Sequence, residues 1–159
     1  MYKRIVKLRS LILVYLTHHM ALPLLKLLRK NDVFPYSGEE LHFFAPGTLG
    51  NQLAEFLDVN NLQLLPYYAR HDIKHILLEY ETTDEGEGSL QCFMLGNGHL
   101  SFPVAATVVY CFLTMPEHWH LFRKAYRRGK AAVRISDWKW FELLEEPVVG
   151  LRRQIIPVV

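Results

Sequence analysis

Apolar residues along most of this chain recur at three- and four-residue intervals, which places them on one face of an α-helix. Sustained alternation of apolar and polar residues, which is typical of half-buried strands, is rare. Thr48 is placed to cap a helix that runs to about Asp58 with Leu49, Leu53, Phe56 and Leu57 turned inward. The next helix is predicted over residues 66–79. The pattern therefore favours an all-α fold.

Glycines in the middle of the chain mark a predicted turn and a predicted helix end. A turn is predicted from Thr82 to Gly88, because this segment is polar and contains two glycines. A helix follows from Leu90 to Leu95 and is expected to stop at Gly96-Asn97-Gly98. The apolar run from Val104 to Leu113 is predicted to be a buried helix, since Pro103 and the helical surroundings argue against a strand.

The last third of the chain continues the helical pattern. Thr114-Met115-Pro116-Glu117 is predicted to form a capping box that opens a helix as far as Arg128, ended by Gly129. Residues 136–154 predict one or two amphipathic helices interrupted at Pro147. Without repeats or linkers, residues 1–159 are expected to form one domain. We predict an all-α, single-domain bundle of about six to eight helices with an apolar groove.

Composition excludes several classes of protein. Half of the residues are apolar and 21% are charged, which excludes a disordered chain. Cys92 and Cys111 are the only cysteines, which excludes a disulfide scaffold and a cysteine-rich zinc module. They lie in apolar runs and are predicted to be buried, inert thiols. The sequence contains no glycine-rich phosphate loop, serine nucleophile elbow or dinucleotide-binding fingerprint.

Charge is distributed unevenly along the chain. Residues 1–31 contain seven Lys or Arg and no acid, whereas the remaining 128 residues carry a net charge of −5. A basic, apolar helix is predicted over residues 1–30. Its longest unbroken apolar run, Leu11–Leu16, is six residues, and Pro23 would kink it, whereas a membrane span needs about twenty apolar residues. Two interpretations stay open: a core helix, or a helix lying in a membrane interface with its basic side chains toward headgroups.

Four residues carry the strongest candidate chemistry. His71 and His75 are four apart, so a helix presents both imidazoles on one face, where they can clip a metal ion. Asp72 lies about 100° around that helix, within reach of the ion or of an imidazole N–H. Glu87 follows on the predicted glycine-containing turn, which could fold it over the clip. Such donors suit zinc, iron, manganese or cobalt. The alternative is a surface helix with solvated histidines.

The same four residues resemble the metal-site motif of the coenzyme Q (ubiquinone) biosynthesis protein 4 family. His71, Asp72 and His75 are followed after eleven residues by Glu87, which is the family's spacing without a gap. Looser similarities extend over about residues 41–155, at Pro46-Gly47-Thr48-Leu49-Gly50, Phe56-Leu57, Arg128-Gly129-Lys130-Ala131, Trp138 and Leu151-Arg152-Arg153. One departure is Glu79, which stands where the family usually has glycine and adds a further candidate ligand.

The resemblance implies an all-α protein that holds a divalent ion, zinc first among the candidates, through His71, Asp72, His75 and Glu87. It implies oxidative decarboxylation of a prenylated hydroxybenzoate-type ubiquinone precursor, organisation of the biosynthetic complex, or both. The alternative is a non-catalytic scaffold that binds a prenyl lipid or quinone precursor around a structural metal.

The implied partners are a polyprenyl or prenylated aromatic lipid, a membrane surface, other quinone-biosynthesis proteins and a second copy in a homodimer. Nucleic acid is not expected, because the body of the chain is acidic. The expected location is cytoplasmic and peripheral to the inner membrane or, in a eukaryote, the matrix side of the mitochondrial inner membrane.

Three further features compete with this interpretation. A phosphohydrolase built on His71-Asp72 would need partners, for which His42 and Asp137 are the candidates. His118 and His120 form a second pair, but residues two apart on a helix point to different sides. A basic cluster suits either a solvated helix end or contact with a phosphate or lipid headgroup, and comprises Arg123, Lys124, Arg127, Arg128, Lys130 and Arg134.

Overall fold

The computed structural model describes residues 2–15 and 33–156. These residues form eight α-helices and two short 3-10 helices, with no β-strand among them. The α-helices are α1 (Tyr2–Tyr15), α2 (Gly38–Leu41), α3 (Leu49–Val59), α4 (Ala69–Leu78), α5 (Asp84–Gly96), α6 (Phe102–Thr114), α7 (Trp119–Ala131) and α8 (Val148–Ile155). The 3-10 helices are Pro116–His118 and Trp140–Leu143. The predicted all-α fold is confirmed.

One hydrophobic core draws buried side chains from every helix between α2 and α8. Helix α5 lies at its centre and packs against α4, α6 and α7. Its Phe93 and the Phe122 side chain of α7 are among the largest fully buried groups. The core therefore fixes α5, which carries Glu87, against the helices around it.

Two glycines allow α5 and α7 to pack with their backbones in contact. A Cβ atom on Gly129 would lie 2.1 Å from the carbonyl oxygen of Phe93, and one on Gly96 would lie 2.2 Å from that of Tyr126. The prediction that Gly129 ends the helix is wrong, because α7 continues through it to Ala131. Gly129 serves close packing between helices.

Threonine caps begin α3 and α5. The Thr48 hydroxyl accepts a hydrogen bond from the backbone N–H of Asn51, so the predicted start of α3 is confirmed. The predicted turn from Thr82 to Gly88 is wrong beyond its first two residues. Thr83 accepts a hydrogen bond from the N–H of Gly86, and α5 begins at Asp84. The cap and the contacts of α5 outweigh the weak helix propensity of two glycines.

Helix α6 forms over the predicted apolar run, but most of it is not buried. Only Val104 and Cys111 are buried within this helix. Val109 is 58% exposed and Leu113 is 77% exposed. Helical periodicity is correct here, whereas the inference of burial from apolar content is wrong, because the contacts of α6 with α5 and α7 leave Val109 and Leu113 exposed.

The predicted capping box at Thr114–Glu117 does not form. Pro116–His118 is a 3-10 helix without a side-chain cap, and α7 begins only at Trp119. Glu117 instead accepts a 2.7 Å hydrogen bond from Nη1 of Arg9. The carboxylate therefore holds the N-terminal helix against the body of the protein.

Helix α1 is attached through Arg9, which is buried. Its guanidinium also lies 3.7 Å from the Asp84 carboxylate, and its backbone carbonyl accepts a hydrogen bond from the Tyr110 hydroxyl. The rest of the predicted helix over residues 1–30, including Pro23, lies outside the described residues. No helix in the described ranges is long and apolar enough to cross a membrane.

The remaining elements agree in part with prediction. Helix α4 covers Ala69–Leu78 of the predicted 66–79. Near the C-terminus, the 3-10 helix Trp140–Leu143 is separated from α8 by Pro147, the residue at which an interruption was predicted. The Asn97 side chain, at the end of α5, hydrogen-bonds the backbone of Gly129, Val133 and Ile135, which ties the segment after α7 to the core.

Candidate metal centre

A short connection between α4 and α5 brings the candidate ligands together. His71, Asp72 and His75 lie on α4, and Glu87 lies in the first turn of α5. Glu87 is therefore a helical residue and not part of a loop. Its backbone is fixed by the hydrogen bond from its own N–H to the carbonyl of Thr83, the capping residue of α5.

Glu79 makes the turn that ends α4. It adopts the left-handed conformation, with φ 58° and ψ 42°, which glycine adopts most easily. The position would suit glycine, and this chain makes the turn with glutamate. The Glu79 carboxylate lies 2.9 Å from Nη1 of Arg152. It is directed to α8 instead of joining the candidate ligands.

Three of the predicted ligands converge. Donor atoms of His71, His75 and Glu87 all lie within 4.8 Å of one another. Nε2 of His71 is 3.1 Å from Oε1 and 3.1 Å from Oε2 of Glu87, and Nε2 of His75 is 3.2 Å from Oε2. Two donors bound about 2.1 Å from a tetrahedral ion would be roughly 3.4 Å apart. A small divalent ion therefore fits these three residues with little movement.

Asp72 lies beside this triad and is not one of its members. Its Oδ1 is 3.9 Å from Nδ1 of His71, on the opposite side of that imidazole from Glu87. The separation is longer than a hydrogen bond. Asp72 is buried, so its charge acts on His71 at short range. This position suits a carboxylate that orients the His71 imidazole or stabilises its protonated form.

The backbone selects one tautomer of His75. Its Nδ1 lies 2.9 Å from the carbonyl oxygen of Tyr80, which can only accept a hydrogen bond. Nδ1 therefore donates, and in the neutral ring the lone pair lies on Nε2, the nitrogen that faces the triad. The Phe56 ring stacks on the same imidazole, with centroids 6.0 Å apart.

The His71–Glu87 pair is electrostatically self-consistent without an ion. Burial alone would lower the pKa of His71, but the carboxylates of Glu87 and Asp72 outweigh it and raise that pKa to about 9. Burial alone would raise the pKa of Glu87, yet His71 and His75 hold it well below 4.5. A protonated His71 beside an ionised Glu87 is therefore the neutral-pH state of the ion-free site, and an ion would displace the His71 proton.

Sequence reasoning missed two residues of the site. Gln91 donates a 2.7 Å hydrogen bond to Oε1 of Glu87 from one turn further along α5. Tyr68 stacks on His71 with ring centroids 4.3 Å apart. Burial and the carboxylates of Glu87 and Asp72 raise the pKa of Tyr68 well above 10, so its hydroxyl stays protonated. The four-residue spacing between Glu87 and Gln91 was the sequence signal that could have identified Gln91.

A cavity of about 410 Å³ adjoins the triad at His75. Its apolar wall includes Phe56, Val59, Ile76 and Tyr80, and carboxylates of Glu55, Glu79 and Glu81 stand around it with Arg152. A larger cavity of about 590 Å³, between Tyr36 and Glu145, contains none of the triad residues. Of these two cavities, the smaller one borders the candidate centre, at His75.

The other candidate groups lie apart from the triad. Nε2 of His42 is 3.8 Å from Asp58, and the Asp137 carboxylate accepts a hydrogen bond from Ser136. Neither belongs to the group of converging donors, and neither does His118 or His120. Cys92 and Cys111 are buried as predicted, and burial raises their pKa values to about 11 and 12. Five residues of the basic cluster are exposed: Arg123, Lys124, Arg127, Lys130 and Arg134.

Comparison with solved structures finds a likeness of fold. No protein-family model matches the chain, and neither does any curated protein. A crystal structure of a protein from Nostoc punctiforme, named provisionally as a ubiquinone biosynthesis protein, superimposes with a TM-score of 0.62 at 20% sequence identity. The alignment covers 92% of this chain and 80% of that chain. At this identity the likeness shows a shared fold.

Proposed function

We propose that this chain is a metal-dependent protein of ubiquinone biosynthesis, related to the coenzyme Q biosynthesis protein 4 family. The convergence of His71, His75 and Glu87 beside an accessible cavity carries the proposal. The fold shared with the Nostoc punctiforme protein supports it, as does the spacing of the four motif residues. The proposed reaction replaces the ring carboxyl of a prenylated hydroxybenzoate-type precursor by hydroxyl, releases carbon dioxide and consumes an oxidant such as dioxygen.

The donor set fits a divalent transition ion. Two imidazole nitrogens and one carboxylate suit zinc, iron, manganese or cobalt and leave coordination positions open. When bound, the ion supplies Lewis acidity toward the carboxylate and neighbouring phenolic oxygen of the precursor. His71 and His75 hold the ion as neutral ligands, and Glu87 offsets part of its charge. Asp72 would orient the His71 imidazole toward the ion.

The cavity beside His75 supplies the binding surface for an aromatic head group. Phe56 and Tyr80 offer ring faces, and Val59 and Ile76 complete an apolar wall. Nε2 of His75 faces Glu87, so a head group in this cavity would lie next to the ligand imidazole of the centre. The stacked rings of Phe56 and His75 restrict its orientation.

Metal content is the first test. Protein purified without a histidine tag should contain about one divalent ion per chain by plasma mass spectrometry, and a His71→Ala, His75→Ala double variant should contain none. A His118→Ala, His120→Ala double variant serves as the matched control, because neither residue joins the triad. An ion-free wild type, even after incubation with zinc, iron, manganese or cobalt, contradicts the proposed centre.

Turnover is the second test. A precursor labelled in its carboxyl carbon should release labelled carbon dioxide with the wild type, and release should fall at least about 100-fold in Glu87→Ala. Circular dichroism then separates the two roles of the metal. A folded variant without product supports the enzyme, whereas a variant that fails to fold supports a structural ion.

A non-catalytic lipid-binding scaffold is the second candidate, favoured by exposed apolar residues on two helices. On α1, Leu8 and Leu11 are exposed beside Lys7, and on α6 Val109 and Leu113 are exposed. Such surfaces suit a membrane interface, a prenyl chain, another quinone-biosynthesis protein or a second copy. This candidate predicts flotation with anionic vesicles that a Leu8→Glu, Leu11→Glu variant loses, while metal content stays unchanged.

A further inference from the structure

The Gln91 side chain lies where it can affect which carboxylate oxygen of Glu87 is available to a metal ion. It follows Glu87 by one helical turn, so the two side chains share a face of α5. Gln91 is only 9% exposed, and a buried amide requires a hydrogen-bond partner. That partner is Oε1 of Glu87, at 2.7 Å.

The chemistry of the pair fixes the orientation of the amide. An ionised carboxylate only accepts hydrogen bonds, so the group that faces Oε1 is the Gln91 NH₂ and not its carbonyl oxygen. The same nitrogen lies 3.5 Å from Nε2 of His71. The N–H donor of Gln91 therefore lies against Oε1, the Glu87 oxygen that would otherwise be free to bind an ion.

The two oxygens of Glu87 consequently differ. Oε2 faces both imidazoles, at 3.1 Å from Nε2 of His71 and 3.2 Å from Nε2 of His75. Oε1 lies close to His71 and is held by Gln91. An ion between the two imidazoles meets Oε2 first. Oε1 accepts the Gln91 hydrogen bond and has no contact with His75, so it is less available than Oε2 to an ion held between the two imidazoles.

We propose that Gln91 is a positioning residue that restricts Glu87 to coordination through Oε2 alone, which selects small transition ions over calcium. This inference rests on the metal centre proposed above. Calcium requires six to eight oxygen ligands and commonly takes both oxygens of a carboxylate. A site of two imidazoles and one carboxylate oxygen suits zinc and cobalt. By holding Oε1, Gln91 also preserves open coordination positions for substrate.

Gln91→Met tests this role, because methionine has a similar length and helix propensity but no N–H donor. Gln91→Leu is a second variant if the first does not fold, and Gln154→Leu, at an exposed glutamine on α8, is the control. Cobalt titration followed by visible absorption reports affinity and coordination number together. Competition with zinc and with calcium reports selectivity.

We expect Gln91→Met to lower cobalt and zinc affinity by about 10- to 100-fold. Its cobalt bands should weaken as Glu87 turns to bind with both oxygens, and calcium should compete more strongly than in the wild type. Unchanged affinity, spectrum and calcium competition in a folded variant would overturn the role of Gln91. A wild type that binds no cobalt or zinc overturns the centre itself, whereas metal binding without turnover removes the proposed reaction and leaves Gln91 with its role.

Discussion

The backbone carbonyl of Tyr80 accepts a hydrogen bond from Nδ1 of His75 across 2.9 Å. Tyr80 immediately follows Glu79, the residue whose left-handed backbone ends α4. The turn that separates the two ligand helices therefore also decides which nitrogen of His75 is available for a metal. This single contact therefore couples the backbone conformation at Glu79 to the choice of available nitrogen in His75.

The contact predicts the protonation pattern of His75. In zinc-loaded protein, Nδ1 of His75 should carry its proton while Nε2 is bound to the ion, which long-range ¹H–¹⁵N spectra of the imidazole rings distinguish. His75→Ala should lower zinc affinity by more than about 100-fold, since losing a ligand exceeds the loss of its supporting hydrogen bond. A metal-bound His75 that is protonated at Nε2 would contradict this geometry.

The pH dependence of stability should weaken or reverse when an ion is bound. The pKa of His71 is about 9 in the folded protein against 6.5 for an unperturbed histidine, so its protonation stabilises the ion-free fold fully below about pH 6.5. That contribution is lost as the pH rises through 9. The pKa of Glu87 is lowered, so its contribution is present above 4.5 and is lost as the pH falls through its folded value.

Melting temperatures between pH 6.5 and 9 measure this change. With chelator, the melting temperature should fall over this range. With saturating zinc it should fall less or rise, because the ion competes with the His71 proton and binds more tightly as that proton is lost. His71→Ala should flatten the slope in chelator. A wild-type slope that is equal with and without zinc would show that ion and proton do not compete.

Glycine at position 79 should relieve the strain of the turn. A left-handed backbone costs a residue with a side chain roughly 1–2 kcal/mol, whereas glycine adopts it freely. Glu79→Gly and Glu79→Ala both remove the exposed pair with Arg152, so their difference isolates the backbone effect. We expect Glu79→Gly to be more stable than Glu79→Ala by about 1 kcal/mol in urea unfolding. Equal stability of the two variants would argue against a left-handed residue here.

Alanine at Gly129 should destabilise the protein because α5 leaves no room for a Cβ atom beside the Phe93 carbonyl. We expect a loss of about 1–3 kcal/mol or more in the free energy of unfolding. Gly150→Ala is the matched control, since a Cβ at this helical position meets nothing within 4 Å and should stabilise α8 by up to about 1 kcal/mol. A tolerated Gly129→Ala would mean that the two helices are further apart.

The candidate ligands on α4 could be predicted because helical periodicity alone determines that residues four apart share a face. His71 and His75 lie on one helix as expected, and Glu87 reaches them. The helical conformation of the segment that carries Glu87 could not be predicted from its local sequence. Gly86 and Gly88 indicate a turn, yet the Thr83 cap and the packing of α5 make this segment helical. Tertiary contacts override local propensity there.

Contacts between residues that are distant along the chain could not be predicted from the sequence pattern. Glu117 fits a capping box by spacing, but its partner is Arg9, 108 residues away. The apolar character of α6 predicts burial, and only the arrangement of its neighbours reveals that Val109 and Leu113 are left exposed. The Tyr80 carbonyl carries no side-chain signature at all. Such groups become recognisable only when the fold places them beside a ligand.

The closeness of the ligands along the chain bears on the order of events during folding. His71 and Glu87 are separated by only 16 residues, and His75 lies between them. Closing a loop of about ten residues takes roughly 10–100 ns, and the entropic cost of closure rises slowly with length. The candidate metal centre therefore belongs to the low-contact-order part of the molecule. An ion present during refolding can stabilise the α4–α5 hairpin before α7 and α8 complete the core.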